Sequence, residues 1–363
     1  MQITDVRADL ISIPLQQDEP ARAWIAGGFR QQILVTVETD RGLTGYGEAF
    51  AYGVPHATLA VVNETLKPLL VGEDPTQISM LQDRMYRQTH LFGRYGITTF
   101  GISGVDIALW DLAGKCANMP LYQLLGGAVV TEIPTYASLV RYSEPEQVRI
   151  ITERALHEGY SAVKLHQIDV ESLRRARDLA GEDAYIMMDI NCAWTPEEAI
   201  EMAQLCEPED LYWLEEPLWP PEDFEGLAQL GSVSGIPIAT GENACTVYQF
   251  RRMLEAGAAT FIQPSVTKAG GISEWRKIAA LAEAYNVTIA PHSPYFGAGL
   301  LATAHLAAAT PRAAWLEYLY VTPEANIFYD FMGVQDGVFT VPDGPGLGLE
   351  IDREVIERYC ETA

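Results

Sequence analysis

Two basic side chains, Lys164 and His166, stand two residues apart in the run SAVKLHQ. Alternate residues of an extended strand share a face, with Cα atoms roughly 6.6 Å apart, so both bases aim at one spot. Polar residues close other short apolar runs: Ser138 in PTYASLV, Asp189 and Asn191 in AYIMMDIN, Glu215 in LYWLEE, Glu242 in IPIATGE, Ser265 in TFIQPS, His292 in VTIAPH and Glu317 in AAWLEY. Any one acid reads as a solvated strand-end carboxylate or a helix cap. Asp189, Glu215 and Glu242, however, close three consecutive runs. Three carboxylates converging in a low-dielectric mouth repel one another and call for a cation. Oxygen-only ligands favour Mg²⁺, which keeps positions open for water and substrate. A cation there, binding a substrate carboxylate, stabilises the enolate left when a base removes the adjacent α-proton. Lys164 and His166 on one side and His292 on the other are the candidate acid and base groups. Proximity to the cation and to one another should depress Lys164 and His166 toward working pH. Alone, they would read equally well as a snorkelling lysine and a satisfied barrel histidine. Beside three acids the chemical reading is stronger.

These residues need elements to position them. The eight runs recur at intervals of 23 to 27 residues, with helical patterns such as SLRRARDLA, PEEAIEMAQLC and SEWRKIAALAEAY between them. Strands alternating with helices at this spacing make a parallel sheet, and eight of them a barrel whose strand ends face the active-site mouth. The first third is different. QILVTVETDRGLTGYGEAF alternates around a hairpin turn at Asp40-Arg41-Gly42. A helical period follows, and FGISGVDIALWDLAGK places Ile102, Val105, Leu109 and Leu112 on one face. The expected division is 1–128 for an α+β unit, 129–320 for the barrel, and 321–363 for a Gly/Pro-rich segment packing back on the first unit.

Bulk composition narrows the partners. The 363 residues carry a net charge of −25, against the clustered Lys and Arg that nucleic acid or an anionic membrane demands. Five scattered cysteines without CxxC spacing argue against a disulfide framework and fit a reducing cytoplasm. The N-terminal stretch MQITDVRADLISIPL lacks a signal-peptide pattern, and no run of eighteen apolar residues suggests a membrane span. The expected protein is cytoplasmic, acts on a small-molecule carboxylate and forms a homo-oligomer.

The motifs GVDIALWDLAGK, AVKLH, MMDINCAWT, WLEEP, TGENA, AGGISE and APHSPYFGAGLLATAHLAAA together resemble the mandelate racemase/muconate lactonizing enzyme branch of the enolase superfamily, over essentially the whole chain. That resemblance implies a modified TIM barrel, (β/α)₇β, under an α+β N-terminal capping domain. It implies cap loops near Ala21 to Phe29 and Ala51 to His56 that close the site. It makes Asp189, Glu215 and Glu242 the Mg²⁺ ligands, Lys164, His166 and His292 the opposed acid/base faces, and Glu317 the acid that polarises the substrate carboxylate. Two departures stand out. His166 replaces the second lysine of the usual Lys-x-Lys pair. Ser265 occupies the place where racemase-like relatives carry the Asp that partners the opposing histidine. His292 should therefore be mostly neutral at pH 7, oriented by Gln263 or another group.

Ser138, Asn191, Trp24, His56 and Ser265 are further candidates for substrate contact, and Arg141 and Tyr142 stand near the same mouth. Trp194, Trp219 and Phe29 read more readily as packing, and His305 as structural. Lys268 with Gly270-Gly271 reads as a tight strand-to-helix turn before an anion cradle. The leading expectation is β-elimination of water from a hydroxy acid or acid sugar. The alternatives are a racemase or epimerase using the same enolate, and a catalytically silent barrel used for binding.

Overall fold

The computed structural model describes residues 1–361 of the chain. Three antiparallel strands open it: β1 (Ile3–Pro14), β2 (Phe29–Thr39) and β3 (Thr44–Ala49), in that spatial order. The β2–β3 hairpin turns through Gly42 at φ 73°. Against this sheet lies the 21-residue helix Ile97–Ala117. Gly45 and Gly47 allow the contact, since a Cβ there would stand 2.2 Å from the Ala108 carbonyl oxygen and 2.0 Å from that of Gly104. The helix is apolar around most of its circumference. Ile102, Val105 and Leu109 pack into the sheet's core, while Ile107 joins the barrel's. Trp110 and Asp106 bond to Ser273 on the barrel helix Gly271–Tyr285. The single apolar face expected from periodicity is thus one of two.

The barrel follows: β4 (Glu132–Ser138), β5 (Ala162–Leu165), β6 (Tyr185–Asp189), β7 (Trp213–Glu215), β8 (Ile238–Thr240), β9 (Phe261–Ile262), β10 (Thr288–Ile289) and β11 (Leu316–Leu319). Each of the first seven is followed by a helix, and each of the first six pairs in parallel with its successor. β11 pairs with β4 and reaches β10 through the Ile289–Ala313 bridge, closing a (β/α)₇β barrel. Its interior holds one side chain per strand: Tyr136, Ala162, Met187, Trp213, Ala239, Phe261, Ala290 and Trp315 form one buried cluster. After β11 the hairpin β12 (Val334–Gln335) and β13 (Val338–Thr340) attaches to β4. The segment after β11 also returns to β1, where Leu15 bridges to Pro323 and Ile11 to Cys360. All five cysteines are free thiols. Among the described residues no helix is long and apolar enough to cross a membrane.

Candidate active site

Two residues beyond the apolar tier, each strand presents its next inward position: Ser138, Lys164, Asp189, Glu215, Gly241, Gln263, His292 and Glu317. Their register follows from strand alternation, and Asp189 lies directly beside Glu215 in the β6–β7 ladder. Carboxylate oxygens of Asp189, Glu215 and Glu242 all lie within 4.8 Å of one another. Glu242 comes from the loop after β8 rather than from the strand itself.

Lys164 sits fully buried among acids, its Nζ donating to Glu215 Oε1 at 2.6 Å and lying 2.9 Å from Glu317 Oε1 and 3.6 Å from Asp189 Oδ2. Burial alone would lower its pKa, but Glu215, Glu317 and Asp189 outweigh that and hold it well above its usual value. The expected depression of Lys164 is not produced by the chain's own groups, because its nearest charges are carboxylates. Among these carboxylates alone the ammonium form is favoured. Glu317 is gripped on both oxygens, by the Ser138 hydroxyl at 2.7 Å and by the Ser293 N–H at 2.8 Å. Burial pushes it up, yet Lys164 and His292 bring it down to about 2. Asp189 is likewise raised by burial but held below its ordinary range by His166 and Lys164, while burial keeps Glu215 well above its own.

The two histidines touch opposite ends of the acidic triad. His166 Nε2 lies 3.1 Å from Asp189 Oδ2, and its Nδ1 meets the Leu139 carbonyl. His292 Nε2 lies 3.2 Å from Glu242 Oε2. Burial lowers the His292 pKa, Lys268 and Lys164 push the same way, and Glu242 and Glu317 compensate only in part. Its Nδ1 lies 3.3 Å from the Tyr295 hydroxyl, which is bonded to Ser265 Oγ. Tyr295, not Gln263, orients the ring. The Gln263 amide is fully buried with neither its oxygen nor its nitrogen hydrogen-bonded within the chain.

Arg141 reaches across strand ends to the carbonyls of His166 and Ile190 and to Asn191 Oδ1 at 2.9 Å. Asn191 is thereby engaged, and its N–H caps Asp189 Oδ1. Trp24 stacks edge-on against Tyr142, and His56 is exposed at the start of the helix Pro55–Ala60. Neither bonds to the triad or the bases. Trp194 is buried and Trp219 exposed, while His305 accepts from the Tyr122 N–H and pairs with the Leu347 carbonyl as a structural residue. Gly270 and Gly271 are filled by Tyr86 and Asp106, whose carboxylate already takes the Ser273 N–H, so no anion cradle remains. The N-terminal loops do reach the mouth: Ala21 packs with Leu15, Phe296, Leu319 and Val321, and the Phe50 ring covers Lys268 Nζ at 4.9 Å.

Sequence reasoning passed over Tyr295, Ser293, Glu216 and Asn243. Each directly neighbours or nearly neighbours a residue it singled out. Glu216, pushed up to about 8 by burial and the nearby acids, accepts from Asn243, whose Oδ1 in turn accepts from Lys268.

The donor set fits a hard divalent cation. Three carboxylates supply only oxygen, and Asp189 Oδ2 is buried without a well-formed hydrogen bond. Comparison with known proteins agrees. Residues 17–126 match the mandelate racemase/muconate lactonizing enzyme N-terminal domain, and residues 147–355 the enolase C-terminal domain-like family. The arabinonate dehydratase of Saccharolobus solfataricus is 35% identical over 343 residues, 91% of each chain. The 3,6-anhydro-alpha-L-galactonate cycloisomerase of Streptomyces coelicolor is 35% identical over 368 residues, 99% of each. The crystal structure of a racemase from Streptomyces coelicolor A3(2) with bound magnesium superposes with a TM-score of 0.87 at 33% identity, covering 99% of both chains.

Proposed function

We propose that this chain, which belongs to the mandelate racemase/muconate lactonizing enzyme branch of the enolase superfamily, is a Mg²⁺-dependent acid-sugar dehydratase. The observation that carries the reading is the triad of Asp189, Glu215 and Glu242 with a basic group at each end. These three acids would hold Mg²⁺, which when bound supplies the positive charge that anchors a substrate carboxylate and stabilises the enolate. The Lys164 ammonium donates to the same carboxylate's oxygens, and Glu317, kept ionised by Lys164 and Ser138, orders that ammonium. A histidine takes the α-proton, and the enolate expels the β-hydroxyl. The resulting enol becomes a 2-oxo acid. Gln263 and Arg141 offer hydrogen bonds suited to a polyhydroxylated chain. Similarity to the arabinonate dehydratase supports that substrate class.

Histidines at both ends of the triad also suit 1,1-proton transfer, as in a racemase or epimerase. One experiment separates the readings: proton NMR in D₂O with Mg²⁺ and a panel of sugar acids. Loss of the α-proton signal together with a 2-oxo-3-deoxy product is the expected result. Exchange without loss of water would indicate the epimerase. No exchange with any acid, despite bound Mg²⁺, would leave a binding barrel.

A further inference from the structure

We infer that Gln263 is a specificity-determining residue, its buried amide kept free of partners within the chain to read a hydroxyl on the substrate's carbon chain. This role rests on the dehydratase reading above and deepens it from a class of acid to the group that is recognised.

The run FIQPS fixes where this amide goes. Phe261 belongs to the apolar plug, and the residue two further along a strand shares its face. Pro264 holds the residue before it extended. The Gln263 N–H donates to the Thr240 carbonyl at 2.9 Å, so the strand direction continues past Ile262. Gln263 therefore points inward, with its side chain fully buried. Its neighbours in the tier do not answer it. Gly241 on one side has no side chain, and a Cβ there would stand 3.1 Å from the Gln263 backbone nitrogen and 2.9 Å from the Phe250 ring. His292 on the other side is already engaged, with Nε2 3.2 Å from Glu242 Oε2 and Nδ1 3.3 Å from the Tyr295 hydroxyl. Of the eight inward positions, only Asp189 and Gln263 keep a buried side-chain atom without a hydrogen bond among the described residues. Asp189 belongs to the triad proposed to hold a cation, which accounts for its oxygen. Gln263 leaves both its oxygen and its nitrogen to be accounted for.

The chemistry of the amide names the ligand. It presents an accepting oxygen beside a donating NH₂ group. A carboxylate would use only the donor, and a cation only the oxygen. A hydroxyl both donates and accepts, and two neighbouring hydroxyls use both ends of the amide at once. Position says which hydroxyl. β5 and β9 stand four strands apart in a closed barrel of eight, so Gln263 lies across the mouth from Lys164. A substrate whose carboxylate is held on the Lys164 side extends its carbon chain toward β9. An amide does not supply the proton that a departing hydroxide needs, so Gln263 binds a hydroxyl that stays on the chain. Keeping the amide unpaired costs the resting protein stability. In return, a site built round it rejects an acid that lacks the hydroxyl.

Gln263→Met nearly keeps the volume and removes both polar atoms. Without substrate, its melting temperature should rise by a few degrees above that of the natural protein, with Mg²⁺ affinity by calorimetry unchanged. A lower melting temperature would mean that the amide already has a partner in the resting protein, and weaker Mg²⁺ binding would place it with the triad; either overturns the assignment. The sugar acid turned over fastest is then compared with its 2-deoxy and 4-deoxy analogues, by the kcat/KM of α-proton exchange in D₂O. In the natural protein one analogue should lose about 100-fold or more. In Gln263→Met the parent acid should fall to that analogue's level, so that the discrimination disappears. Discrimination that survives in the variant would assign it to another residue. If no acid is turned over, the dehydratase reading fails, and the melting temperature, which needs no substrate, still decides whether the amide is held unpaired for a ligand.

Discussion

Two tiers of the same eight strands differ in almost everything but their backbone. The lower tier, from Tyr136 round to Trp315, is aromatic or aliphatic and packs as a plug, with rings such as Tyr136 and Trp213 5.5 Å apart at 82°. The upper tier, two residues on, gathers an ammonium, an imidazole and three acids in an equally buried space, with Glu242 joining from its loop. Burial favours the first and penalises the second. The upper tier is tolerable because Lys164 offsets Glu215 and Glu317, and a divalent cation held by the triad would complete the balance. The lower tier holds the barrel together, and the upper one spends that stability on a site.

Breaking the upper tier should cost most. Glu215→Gln keeps the shape and removes one charge from the proposed cation shell. We expect Mg²⁺ affinity to fall by at least about 100-fold and turnover to collapse, with the fold retained by circular dichroism. Unchanged affinity by calorimetry would remove Glu215 from the ligand set.

The tiers meet where Trp213 Nε1 donates to Glu215 Oε2 at 2.8 Å and where Lys164 Nζ lies 5.6 Å from the centre of the Tyr136 ring. Trp213→Phe leaves that buried oxygen short of a donor, a cost of about 1–3 kcal/mol. Turnover should fall roughly tenfold, far less than for Glu215→Gln, along with a lower melting temperature. Met187→Leu, a volume-conserving change wholly within the lower tier, should cost less than about 1.5 kcal/mol and leave turnover within twofold. A Met187→Leu variant as inactive as Glu215→Gln would dissolve the distinction between tiers.

What the sequence disclosed follows the same boundary. Lys164, Asp189, Glu215, His292 and Glu317 were legible because strand alternation dictates where an inward residue points once the strand is recognised. Tyr295 was not, since it lies three residues past His292 in a loop, where no periodicity tells which way a side chain turns. Arg141 is similar: its span from β4's end to Ile190 is a matter of loop path. Trp24 and His56 were chosen by residue type in loops whose course the sequence does not encode locally. Lys164's state depends on distances among four side chains from four strands, which spacing along one strand cannot supply. The helix Ile97–Ala117 hid its second apolar face because a one-sheet picture asks for only one.

The smallest effect on turnover is expected from a buried acid outside both tiers. Glu48 is the penultimate residue of β3, and its Oε2 accepts the Gly299 N–H at 2.8 Å, joining the N-terminal sheet to the first turn of the helix Ala298–Ala308. Burial pushes its pKa from 4.5 up to about 7, against the opposing pull of the Gly299 bond and Arg30. Between those two values the folded chain binds more protons than the unfolded one, so the unfolding free energy falls as pH rises. The stabilisation from this group is complete below about pH 4.5 and gone above about pH 7, a change on the order of 3 kcal/mol. Glu48→Gln cannot ionise and should lack this slope. Relative to the natural protein, the variant's melting temperature should therefore rise by a few degrees on going from pH 5 to pH 7.5, with turnover nearly unchanged. A parallel pH dependence in both proteins would mean that Glu48 ionises as readily folded as unfolded. A large loss of turnover would instead mean that this joint steers the helix behind His292, and that the charged tier extends beyond the barrel.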